Sequence, residues 1–104
     1  MTNTYKGFPF KHKVLSEDKF IRKFSKDVSK DELVWHRDAE DREIEVVAGS
    51  GWSFQKENCL PFELNSGDKL LIKKNEWHRI LKGSSDLIIK VNIINKETKW
   101  MITH

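Results

Sequence analysis

Gly67-Asp68-Lys69-Leu70-Leu71-Ile72-Lys73-Lys74-Asn75-Glu76-Trp77-His78 decides how this chain reads. It passes from a turn through a short apolar strand to a second tight turn, and a histidine opens the next strand. An earlier stretch, Glu32-Leu33-Val34-Trp35-His36, also reads as a strand and ends on a second histidine. Two histidines, each beside a turn in a small all-β chain, can meet inside one barrel.

Outward from that stretch, strand signals recur at roughly eight- to twelve-residue spacing. The candidates are Lys13–Leu15, Lys19–Phe24, Glu43–Val47, Trp52–Gln55, Cys59–Leu64, Lys69–Ile72, Trp77–Leu81 and Leu87–Ile94. Phe20, the stem of Arg22 and Phe24 keep a period of two. Ile44 and Val46 face one way, Glu43 and Glu45 the other. Pro61 demotes its run to an edge or irregular strand, because proline cannot donate to a ladder. Leu87–Ile94 is the most apolar run and is expected at the centre of a sheet. No long helix is indicated. The pattern predicts an antiparallel sandwich or barrel, a form that protects the edges of many short strands.

A chain of 104 residues has room for one core. We expect a single domain with its core over about residues 11–94, an extension at 1–10 and a tail at 95–104. Trp100, Met101 and Ile102 of the tail are able to pack back. The apolar runs are too short to span a membrane. The start of the chain lacks the apolar segment of a signal peptide. A lone Cys59 gives no disulfide framework and fits a reducing cytoplasm. The net charge is only +3, and Lys alternates with Asp and Glu, so a solvated mixed surface is favoured over a nucleic-acid partner.

Gly67, Asp68, Ile72 and His78 fall in register with the second motif of the cupin superfamily, which the chain resembles. Lys73 stands where that motif has Pro, and Asn75 where it has Gly. Asn is the best substitute for Gly where positive φ is needed. The first motif resembles His36, Arg37, Asp38, then Arg42, Glu43 and Gly49. Counting back from Gly49 puts Arg42 on the acid's position. Counting forward from Asp38 reaches Glu43, which fits if the strand is shortened or bulged before Gly49. The resemblance covers roughly residues 30–94. It implies a jelly-roll barrel (a double-stranded β-helix), and a homodimer joined through edge strands.

Strand alternation puts Val34, His36 and Asp38 on one face, and His78, Ile80 and Lys82 on another. Arg42 shares a run with Ile44 and Val46. Two readings follow. In the first, His36, Asp38 and His78, with Glu43 as an alternative acid, hold a divalent transition metal (Fe, Mn, Ni or Zn). Arg42 then binds a substrate carboxylate or phosphate. In the second, Arg42 pairs with Asp38, and the barrel binds a polar small molecule without metal or is a structural module. No organic cofactor is indicated in either. Trp35 and Trp77 are candidates for an aromatic rim at the mouth, and Lys82 for the wall, although each also reads as a packing or solvated residue. Cys59 reads as a small buried or edge residue, and His12 and His104 as incidental. A truncated 2-oxoglutarate oxygenase, which also uses His-x-Asp and a distal His, needs a longer chain.

Overall fold

The computed structural model describes residues 8–94. Their strands are β1 (Lys11–Val14), β2 (Lys19–Phe24), β3 (Asp41–Ala48), β4 (Ser53–Lys56), β5 (Phe62–Glu63), β6 (Lys69–Ile72), β7 (His78–Leu81) and β8 (Leu87–Ile94). They build two antiparallel sheets, one ordered β1-β2-β8-β3-β6 and the other β5-β4-β7. As the apolar run predicts, β8 is central, with β2 on one side and β3 on the other.

Period-two alternation fills the space between the sheets. Phe20 and Phe24 of β2, Ile44 and Val46 of β3, and Leu87 and Val91 of β8 point inward from the larger sheet. Trp52, Phe54 and Leu64 meet them from the smaller one, in one continuous core. Trp52 has no exposed surface, and its indole N–H donates to the Ser85 carbonyl at 2.6 Å. That bond satisfies the one polar atom of a side chain that otherwise supplies apolar area.

Some boundaries differ from expectation. β1 starts at Lys11 and stops before Leu15. Glu32–His36 is not a strand. Ser29 accepts from the Asp31 N–H and caps a single 3-10 turn, Lys30–Glu32. The chain then reaches an isolated bridge between His36 and His78. The serine cap offers the backbone a local bond that competes with a ladder. The run after Cys59 shrinks to the two-residue edge strand β5, as Pro61 requires. Cys59 is exposed. Trp100, Met101, Ile102 and His104 lie outside the described residues. Among the described residues, no helix is long and apolar enough to cross a membrane.

Candidate metal centre

The turn between β6 and β7 positions the site. Asn75 takes φ 62°, the left-handed conformation for which it replaces glycine. Its N–H donates to the Asp38 carbonyl at 2.7 Å, and the Lys74 N–H donates to Asp41 Oδ1 at 2.8 Å. The turn is thereby tied to the segment entering β3. One step further on, His36 and His78 exchange both backbone hydrogen bonds, at 3.0 and 2.9 Å. In such a pair the two side chains emerge side by side on one face. Their ring centroids are 4.3 Å apart, edge to face. The His78 ring is buried and stacks on Phe54 at 5.6 Å, whereas His36 sits at the mouth and is exposed.

Each imidazole is turned the same way. His36 Nδ1 is 3.1 Å from the Val34 carbonyl, and His78 Nδ1 is 2.7 Å from the Glu76 carbonyl. A carbonyl oxygen only accepts, so in each neutral ring Nδ1 carries the proton and Nε2 keeps its lone pair. Asp38 divides its two oxygens: Oδ2 lies 3.4 Å from His78 Nε2 and Oδ1 3.5 Å from Arg42. The ligating atoms of His36, Asp38 and His78 all fall within 4.8 Å of one another. Two ligands on a tetrahedral ion with bonds of about 2.1 Å stand about 3.4 Å apart. The donor chemistry therefore fits a divalent metal: two neutral imidazoles with fixed tautomers and one carboxylate.

Electrostatics favour the ligand forms. Although His36 as a residue is exposed, its ring is partly desolvated by the protein around it, and this lowers its pKa; the Val34 carbonyl works against that, while the neighbouring His78 lowers it further. Burial acts to raise the Asp38 carboxyl. The hydrogen bond that His78 donates when its ring is protonated, the charge of Arg42, and the charges of His78 and His36 in their protonated forms outweigh it, so the net shift in the metal-free site is downward. A lowered histidine is neutral and a lowered aspartate is ionised, which is what metal binding needs.

The triad opens on a cavity of about 430 Å³. Most of its wall is aliphatic or aromatic, with residues such as Leu33, Ile72, Ile80 and Ile89, and its charged members are Arg22, Glu32, Asp38 and Arg42. The size is within the range of roughly 300–1,000 Å³ usual for small-molecule sites.

No protein-family model matches the chain, and no curated protein matches it. Solved structures do. The DMSP lyase DddQ from Ruegeria pomeroyi superposes with a TM-score of 0.65 at 14% identity, over 78% of this chain and 40% of the lyase. The chain thus spans less than half the length of that protein. A cupin-2 domain containing protein from Shewanella frigidimarina gives a TM-score of 0.57 at 18% identity, covering 84% of this chain and 82% of the other. HppE in its Fe(II) form gives 0.56 at 15% identity, over 71% of this chain and 41% of HppE. The chain has the cupin fold.

With the cupin barrel in place, each candidate residue has a position. Val34, His36 and Asp38 line the cavity together although they belong to no strand, and His78 and Ile80 line it by the alternation of β7. Glu43 points outward and is exposed, so it stays out of the cavity. β3 does shift register, but between Val46 and Ala48, beyond Glu43; Ile44 and Val46 hold the inner face and put Arg42 on it. Arg42 is already engaged. Its Nε and NH2 donate to Glu40 Oε1 at 2.9 and 2.6 Å. Trp35, Trp77 and Lys82 are not part of the wall. Arg79 covers the Trp35 ring at 4.6 Å and Arg37 the Trp77 ring at 5.1 Å, so these indoles pack under arginines. Lys82 lies past the end of β7, where alternation no longer applies. Two charged wall residues, Arg22 and Glu32, were not among the sequence candidates. Arg22 carried the readable signal: it shares the inward face of β2 with Phe20 and Phe24.

Proposed function

We propose that this cupin binds a divalent transition metal through His36, Asp38 and His78 and acts on a small molecule held in the adjoining cavity. The observation that carries this reading is the pair of Nδ1 contacts to the Val34 and Glu76 carbonyls. They leave both Nε2 lone pairs free to ligate, as metal-bound histidines generally are held, and His78 Nε2 lies 3.4 Å from Asp38 Oδ2. The likeness to HppE in its Fe(II) form and to a lyase supports a metal-dependent enzyme. A bound ion would act there as a Lewis acid on a substrate oxygen. The protein's own part is to present two Nε2 lone pairs and one carboxylate to the ion, and to surround the substrate with an apolar wall that limits water. The exposed, unpaired Cys59 supports a reducing compartment, the cytoplasm.

One observation favours a metal-free reading. Asp38 Oδ1 lies 3.5 Å from Arg42, so part of its charge is committed to an ion pair. Elemental analysis of untagged protein purified without chelator, beside the His36→Ala/His78→Ala double variant, separates the two. Near-stoichiometric transition metal that is lost in the variant supports the metal reading. No metal in either, even after reconstitution, replaces it with a small-molecule-binding barrel.

A further inference from the structure

We propose that Arg22 is the anchor for an oxyanion, a carboxylate or a phosphate, at one end of an otherwise aliphatic ligand in the cavity. This deepens the proposed function, because it names the ligand class of the same cavity, but its test does not need the metal.

Arg42, the residue that sequence reasoning put forward for this role, has its fork filled by Glu40 and a further contact to Asp38. Arg22 is different. Its Nε donates to His12 Nδ1 at 3.3 Å, and its guanidinium lies over the Phe10 and Phe20 rings at 4.1 and 4.7 Å. Among the described residues no carboxylate lies within ion-pairing distance of it, the wall residue Glu32 included. Among the described residues, the two terminal nitrogens, which form the edge that grips a carboxylate or phosphate bidentately, take no acceptor. No side-chain nitrogen or oxygen sealed from solvent lacks a partner, so those nitrogens open on solvent within the cavity. The aromatic rings clamp the plane of the group and leave its edge facing the void.

The charge is also uncomfortable where it stands. Burial, and then the proximity of Arg42, lower the Arg22 pKa to about 10. Arg22 in turn disfavours the charged form of His36, which places it within electrostatic reach of the triad. Asp38 and Glu40 act at a distance in the opposite direction without offsetting these effects, and an anion bound directly at the fork would relieve both costs, since a half-buried cation with no carboxylate in contact is a destabilising arrangement. The rest of the wall is apolar, so the body of the ligand is aliphatic. Arg22 and the His36–Asp38–His78 triad line the same cavity, so a ligand anchored at Arg22 is held beside the triad.

The test uses chelator-treated, ¹⁵N-labelled protein, so that failure of the metal reading leaves it intact. Hexanoate, hexyl phosphate and the neutral hexanamide are titrated while the arginine Nε–H resonances are followed. The expected result is a shift confined to Arg22, with at least one anion binding about tenfold or more tightly than the amide. Preference for hexanoate or for hexyl phosphate tells which head group the fork prefers. Equal binding of anions and amide overturns the proposal, as does a shift of Arg42 with Arg22 unmoved. Arg22→Met should abolish the preference and Arg22→Lys should weaken it; full retention in a folded Arg22→Met also overturns it. If Arg22→Met does not fold, the resonance shifts of the unmodified protein decide.

Discussion

His36 and His78 are joined by two backbone hydrogen bonds, 3.0 and 2.9 Å long, although His36 belongs to no strand. One bridge thus fixes the separation of two imidazoles that come from segments 42 residues apart in number. Their environments are unequal: His78 is 3% exposed against Phe54, while His36 lies at the mouth. His78→Ala should therefore lower stability by about 1–3 kcal/mol, and His36→Ala by less than about 1 kcal/mol. Both should lose metal. Thermal melts of the chelator-treated variants, alongside metal titration, check this; equal destabilisation by the two would contradict the unequal burial.

Two lowered groups of the site contribute to the pH dependence of the metal-free protein, and His12 and Asp86, lowered as well, act in the same two windows. His36 is lowered from 6.5, so the folded state holds its proton less well than the unfolded chain. Its contribution is fully present above pH 6.5 and diminishes as pH falls from there toward the lowered folded value. Asp38 is lowered from 3.8, so its contribution is present above pH 3.8 and disappears as pH falls through its folded value. Denaturant midpoints without metal should accordingly decline in two steps on acidification. Metal affinity should fall through the first step, because protonated imidazole is no ligand. A flat profile from pH 7 to pH 5 would remove His36 from the set of shifted groups.

Glu40→Gln tests how the triad is kept available. Glu40 holds Arg42 through two short hydrogen bonds to one oxygen, and Arg42 is the group that competes for Asp38. Removing the Glu40 charge should let Arg42 swing fully onto Asp38 and weaken metal binding by about 10–100-fold, the usual range for groups that orient ligands. Calorimetric titration with Zn²⁺ reads this. Unchanged affinity would mean that Glu40 merely neutralises Arg42.

Much of this was legible in the sequence because period-two alternation and turn chemistry are local. The Gly67–His78 stretch gave its strand, its turn and its histidine, and Asn75 does adopt the positive φ that its place in the turn asks for. The acid position was ambiguous because strand register depends on partners. Only the pairing of Arg42 with Ile93 and Ile72 turns Glu43 outward. Trp35 and Trp77 were misplaced for a related reason. Their arginine covers, Arg79 on Trp35 and Arg37 on Trp77, are both long-range contacts that no local pattern reports. Arg22 was visible as an inward-facing residue, but its lack of a carboxylate partner is a property of the assembled cavity.

Asn75 offers a backbone test. At φ 62° a Cβ is strained, least so in Asn or Asp, and glycine, which has none, escapes the strain. Asn75→Gly should leave stability within about 0.5 kcal/mol, whereas Asn75→Ala should cost about 1 kcal/mol. Because the Asn75 N–H holds the Asp38 carbonyl at 2.7 Å, the alanine variant should also weaken metal binding while the glycine variant does not. Parallel melts and titrations distinguish a strained turn from a lost side-chain contact, since the latter would penalise both substitutions alike.

Gly83 sets the largest stability effect that we expect from a single methyl group. A Cβ there would collide with the Ser50 carbonyl and with the indole and backbone nitrogen of Trp52. Neither obstacle can move cheaply. The indole is wholly buried and its N–H is held by the Ser85 carbonyl, and Ser50 O accepts from the Ser84 N–H at 2.9 Å. Overpacking of a rigid core typically costs about 1–3 kcal/mol, and a clash with backbone belongs at the upper end. Gly83→Ala should thus lower the denaturant midpoint by more than either histidine variant. It should leave the metal affinity of the remaining folded fraction unchanged, since Gly83 packs on Trp52 and away from the triad. A midpoint within error of the unmodified protein would show that the Trp52 loop can shift to admit the methyl group.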